Sequence, residues 1–173
     1  MKSLNGWPVI PAYGHPDLVT LFVPGTRRRL TLDKHAAPLL IALAADYHAW
    51  VRPIDVGPVD EGGYNHREAT NAPGQMSNHA SGTAVDINWA REGRMGSVAG
   101  RSWFALPHVR YEIARMKVIY GPVVTWGGDW RARDYCHWEI SSGTTPAQVA
   151  ARIKYLGITP DGVRHNNWRG KPL

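Results

Sequence analysis

The sequence predicts an α+β fold, a small and mostly antiparallel sheet with a few helices packed on it. Three observations carry this. Apolar residues recur at helical spacing in "TLDKHAAPLLIALAADYHAWV" and "PHVRYEIARMKVIYG". Short runs with alternation and β-branched residues, "TAVDINWA", "VVTW" and "CHWEI", read as strands. A Gly-Gly turn stands between the last two of these strands.

Taken in order, residues 1–30 are rich in proline, glycine and turn formers, and predict an irregular N-terminal segment wrapped on the domain. The first helix follows, with Asp33 as N-cap and Leu39, Leu40, Leu43 and Tyr47 at helical spacing. "VRPIDVGPV" reads as a short strand leading into the glycine-rich loop "DEGGYNHREATNAPGQM". "REGRMGSVAGRSW" reads as a loop. The second long helix has Pro107 near its start and Gly121 past its end. "TPAQVAARIKYLG" closes as a short helix, with Thr145 as N-cap, Pro146 at the first helical position and Gly157 as the stop. A basic tail completes the segment 146–173. No internal repeat or linker divides the chain, so residues 1–173 are expected to form a single domain and a monomer.

The net charge of +6 favours polyanionic surroundings: nucleic acid, an anionic membrane or an acidic cell-wall polymer. The basic residues are scattered, and their one contiguous run, Arg27 to Arg29 after "VPGT", reads as a solvated turn. No basic and aromatic tract supports a nucleic-acid partner. The single cysteine, Cys136, gives no intramolecular disulfide framework. No apolar run approaches the ~18 residues of a membrane helix, so membrane insertion is not expected. The start, "MKSLNGWPVIPAYGHPD", does not read as a signal peptide. The expectation is a protein made in the cytoplasm that reaches any outside target by another route.

Two stretches carry chemistry. "SNHASGTAVDIN" sets His79 and Asp86 seven residues apart, with Gly82 able to bend the chain between them. Alone, this pair reads as a loop entering a strand. About fifty residues on, "DYCHWEI" supplies His137 as a third ligand, with Asp134 three residues before it. A zinc hydrolase needs about three protein ligands, an open position, and a carboxylate that accepts a proton from water. Glu139 shares the strand face of His137 and is a rival for that carboxylate. Cys136 alternates to the other face and reads as a buried packing residue. His66 and His108 read as loop or helix-start residues. Most of the eight tryptophans read as core, with one or two beside a substrate.

"SNHASGTAVDIN" resembles the Ser-x-His-(six residues)-Asp signature of the D-Ala-D-Ala carboxypeptidase and L-Ala-D-Glu endopeptidase family of zinc peptidases. "WGGDWRARDYCHWEI" resembles the family's second motif, and "GGYNHR" its Tyr/Arg segment before the first histidine. The likeness spans roughly residues 35–140. It implies Zn2+ at the sheet face held by His79, Asp86 and His137, Asp134 as general base, and Arg67 as the arginine on the scissile carbonyl oxygen. The "GYNHR" spacing departs from the common Gly-Tyr-Arg, which leaves the register of Arg67 open. Trp126 and Asp129 match the loop before the base. Ser77 reads as a holder of the His79 loop.

The resemblance implies a peptidase of the peptidoglycan stem peptide. "WGGDW" is more similar to the phage endolysin branch, which implies L-Ala-D-Glu endopeptidase activity and cell-wall lysis after release. Two alternatives stand beside it: a D-Ala-D-Ala carboxypeptidase, and a zinc-bearing wall-binding module without catalysis.

Overall fold

Apolar and polar residues alternate through Arg29–Asp33, which pairs with the mostly apolar Leu18–Phe22 in an antiparallel hairpin, β1 (Leu18–Phe22) and β2 (Arg29–Asp33), with Leu18 opposite Asp33. The computed structural model, which describes residues 1–92 and 98–165, thus places regular structure inside the N-terminal segment expected to be irregular. The turn formers of "VPGTRR" close this hairpin rather than mark a longer irregular run. Arg28 also departs from expectation. Its side chain is 13% exposed and ion-paired to Glu61 at 3.1 Å, whereas a solvated turn was expected.

Helix α1 (Ala37–Trp50) buries Ala37, the whole run Leu39–Ala44, and Tyr47. A helix apolar nearly all round belongs in the interior, and α1 is the central element of the core. Asp33 is not its N-cap. That position is Ala36, and the Asp33 carboxylate instead accepts the backbone N–H groups of His35 (2.8 Å) and Ala36 (3.3 Å) in the preceding turn. The expected strand at 51–59 is a loop. Pro53 and Pro58 lack ladder donors there, and Arg28 gathers the carbonyls of Ile54, Gly57 and Pro58. Within the expected loop at 60–76 lies a small hairpin, β3 (Glu68–Ala69) with β4 (Ala72–Met76).

The sheet that positions the site has three short strands: β5 (Ala84–Asp86), β6 (Val124–Trp126) and β7 (His137–Ile140). Their order is β5-β7-β6, antiparallel throughout. Two helices, α2 (Trp89–Glu92) and α3 (Val98–Phe104), occupy much of the expected loop 91–103, of which residues 93–97 lie outside the described residues. Helix α4 (Pro107–Tyr120) carries its proline in the first turn as expected. Helix α5 (Pro146–Leu156) starts with a complete capping box between Thr145 and Gln148 and stops at Gly157, φ 62°.

The inner faces of α1, α4 and the sheet meet in one cluster that includes Leu40, Leu43, Val85, Ile113, Met116, Trp138 and Ile140. Each such side chain contributes about 1.5–3 kcal/mol by leaving water. Trp126 and Trp138 stack across β6 and β7 at 5.8 Å. The architecture is α+β, as the sequence predicts, and the core holds the strands from beneath while their other face carries the polar residues described next.

Candidate metal centre

Ser77–Gly82 forms a single 3₁₀ turn. The Ser77 hydroxyl accepts the His79 N–H at 3.2 Å, which is the holding role expected of it. Gly82 ends the turn at φ 67°, where a Cβ would also stand 2.4 Å from the Asp33 backbone nitrogen. Only glycine meets both demands. The N-terminal segment braces the turn from behind. Asn5 donates its N–H to Asn78 Oδ1 (2.8 Å) and its side-chain amide to Thr83 Oγ1 (2.8 Å) and the Ile140 carbonyl (3.0 Å). Ser3 Oγ meets Ser81 Oγ at 2.9 Å. Asn5 and Ser3 carry no motif, and sequence reasoning missed them.

Past Gly82 the chain enters β5, where Asp86 stands directly opposite His137 of β7. Opposed residues on one face of an antiparallel pair bring their Cβ atoms within about 4.5–5.5 Å. His79, delivered by the turn, closes the group: one ligand atom from each of His79, Asp86 and His137 lies within 4.8 Å of the others. His79 Nε2 is 3.4 Å from Asp86 Oδ2, and His137 Nδ1 is 2.9 Å from Asp86 Oδ1.

The far edges of both rings are satisfied by the protein. His79 Nδ1 lies 2.6 Å from the Gly63 carbonyl, so it is the protonated donor there and Nε2 faces the cluster. His137 Nε2 lies 2.8 Å from Glu139 Oε2. Glu139 also accepts from Asn78 Nδ2 at 2.7 Å, and the small Ala84 opposite it leaves the room. His79 Nε2 is buried and has no hydrogen-bond partner among the described residues. A buried imidazole nitrogen left so, beside a carboxylate and a second imidazole, is what a cation-binding site requires. Two imidazoles and a carboxylate suit zinc.

Burial works against charge at Asp86, but the hydrogen bond from His137 and the closeness of both imidazoles outweigh it and hold the carboxyl well below the usual range. Burial lowers the pKa of His137, yet hydrogen bonds to Asp86 and Glu139 prevail and raise it to about 10.

A cleft of about 360 Å3 opens over the cluster, and Asp134, Arg67, Glu139 and Trp130 line it. Trp130 packs against the His137 ring at 5.1 Å. A second cavity of about 440 Å3 flanks the first and shares Asn65, Arg67, His79 and Asp86 with it. Arg67 Nη1 donates to the Glu68 carbonyl (3.1 Å) and Thr70 Oγ1 (3.3 Å), neither of which neutralises its charge. Asp134 accepts the Cys136 thiol at 3.1 Å. Burial, followed by the nearby Asp86 and Asp134 charges, pushes that thiol well above its ordinary value. Cys136 is buried, as expected, but it lines the cleft beside Asp134 instead of facing away from it. Asp129 turns outward to Lys117 at 2.6 Å, and Trp126 is a core residue donating to the Tyr135 carbonyl at 2.9 Å. Neither reaches the cleft in the way their place in "WGGDW" suggests.

Two glycines in "GGYNHR" support the site through backbone alone. Gly62 exchanges both hydrogen bonds with Asp86, at 3.0 and 2.8 Å, and Gly63 supplies the carbonyl that orients His79.

A family model described as D-alanyl-D-alanine carboxypeptidase matches residues 70–140. That stretch contains His79, Asp86, Asp134 and His137, and it excludes Arg67 and the Gly62–Gly63 support. No curated protein and no solved structure matches the chain.

Proposed function

We propose that this chain is a zinc-dependent peptidase that hydrolyses the stem peptide of peptidoglycan. The observation that carries the reading is the buried His79–Asp86–His137 group, with its unpartnered Nε2 and with Asp134 in the same cleft. The likeness of residues 70–140 to D-alanyl-D-alanine carboxypeptidases supports the substrate class.

In this reading His79 through Nε2, Asp86 through its carboxylate and His137 through Nδ1 would hold the zinc. When bound, zinc supplies Lewis-acid polarisation of the scissile carbonyl and of the attacking water. The chain's own residues do the rest. The Gly63 carbonyl and Glu139 keep the histidine protons on their outward nitrogens. Asp134 accepts the proton of the attacking water and returns it to the departing amine, a role worth about 10²–10⁴-fold. Arg67 holds the developing oxyanion. Glu139, engaged with His137 and Asn78, serves as a holder rather than as the base.

We favour an endopeptidase over a carboxypeptidase, because two adjoining cavities share His79 and Asp86 and leave room for peptide beyond the cluster. The similarity of "WGGDW" to the endolysin branch extends this to cell-wall lysis by an enzyme made in a host cytoplasm and released. Product analysis of purified sacculi tests the reading. Cleavage between L-Ala and D-Glu, abolished by a chelator and restored by zinc, is the expected result. Release of terminal D-Ala alone, with stems left on the glycan, would overturn the endopeptidase assignment.

A further inference from the structure

Arg28 and Glu61 lie outside the matched stretch and outside the cleft chemistry, yet they form a buried pair. Glu61 is 1% exposed at its side chain, and its Oε2 lies 3.1 Å from Arg28 Nε. The same guanidinium donates to the carbonyls of Ile54 (3.1 Å), Gly57 (2.9 Å) and Pro58 (2.8 Å). It therefore gathers the whole loop that precedes the two glycines. On the other side Asp60 accepts the N–H groups of Trp89 through its carbonyl (3.0 Å) and of Ala90 through its carboxylate (3.3 Å).

Between these anchors Asp60–Gly63 is a strap with one function visible in its contacts. Gly62 locks to the backbone of Asp86, and the Gly63 carbonyl takes the His79 Nδ1 proton. The strap already lies against β2, where the Tyr64 N–H donates to the Thr31 carbonyl at 2.6 Å and only glycine fits at position 63. Its other end continues from the loop that Arg28 holds. A buried ion pair is a poor device for stability alone, since desolvation offsets most of the attraction. Its value here is directional: one planar fork hydrogen-bonds three loop carbonyls while its charge stands against the Glu61 carboxylate.

We propose that Arg28 and Glu61 are positioning residues of the metal centre, fixing through the Gly62–Gly63 strap both the His79 tautomer and the place of Asp86. The inference rests on the zinc reading of the cluster. Partners that orient metal-ligating groups typically change metal affinity 10–100-fold when altered.

The test uses the full chain and reads zinc affinity by competition with a chromophoric chelator, and the visible absorption of the Co2+-substituted protein. Arg28→Lys and Glu61→Gln should each weaken zinc binding by about 10–100-fold and alter the Co2+ bands. Arg164→Lys, which loosens the 3.0 Å pair with Asp46 on α1, should lower thermal stability and leave zinc affinity within about twofold. Should Arg28→Lys fail to fold, Glu61→Gln, which keeps the side-chain shape, carries the test. Zinc binding unchanged in Glu61→Gln, or weakened equally in Arg164→Lys, overturns the proposal. The zinc reading fails separately, if the unaltered chain takes up no stoichiometric zinc or if His79→Ala binds it as tightly.

Discussion

Glu139 accepts the Nε2 proton of His137 at 2.8 Å, from two residues further along the same strand face. The contact commits the glutamate to the imidazole and aims Nδ1 at Asp86. Glu139→Ala should therefore weaken zinc binding by about 10–100-fold, and saturating zinc should restore most of the hydrolysis. Chelator competition and activity against zinc concentration check this. A loss that zinc cannot restore would return Glu139 to the role of base.

Asp134 should behave in the opposite way. Asp134→Asn preserves the cleft's shape and removes the proton acceptor. It should leave zinc near one per chain and lower hydrolysis by about 10²–10⁴-fold. Metal analysis beside turnover on purified stem peptide measures both, and residual activity near the parent's would exclude Asp134 as base.

The pH dependence of metal binding follows from the His137 proton. Its pKa, raised to about 10 in the metal-free chain, gives stability that is complete below the ordinary value near 6.5 and lost as pH rises through 10. Asp86, held low, gives stability present above its ordinary value near 4 and lost on acidification. Zinc must displace the His137 proton, so the rise in Tm on adding zinc should grow steadily from pH 6 to pH 9. Thermal scans at fixed free zinc test this, and a pH-independent increment would contradict it.

Gly127→Ala probes the turn that carries Asp134. A Cβ at Gly127 would lie 2.4 Å from the Asp134 carbonyl and 3.2 Å from His137 Cβ. Backbone must move to admit it, at a cost of about 2–3 kcal/mol in urea unfolding. Zinc affinity should fall with it.

What the sequence made legible was local chemistry. Thr145, Pro146 and Gly157 announced α5, and Pro107 announced the start of α4, because caps and breakers act within one turn. His79, Asp86 and His137 were legible from their spacing and motif order, and the fold brings all three to one point. Hidden features depended on pairing between distant segments. β1 and β2 pair across a proline-glycine turn that looked irregular, and Asp33 serves the turn before the helix instead of the helix itself. Arg28 sat in a basic run that suggests solvent, and no neighbour in sequence announces Glu61, thirty-three positions away. Asn5 acts on Asn78, Thr83 and Ile140, all remote in the chain.

The bracing of the His79 turn by Asn5 and Ser3 bears on engineering. A fragment cut at the recognisable motif, residues 70–140, leaves behind Asn5, Arg28, Glu61 and the carbonyl of Gly63. Such a graft would carry all three ligand side chains without the scaffold that aims them. A tag joined to Met1, which is 91% exposed, extends into solvent and spares the brace. Deleting the first seven residues would take the brace away. The portable unit of this site is longer than the segment by which a sequence comparison recognises it.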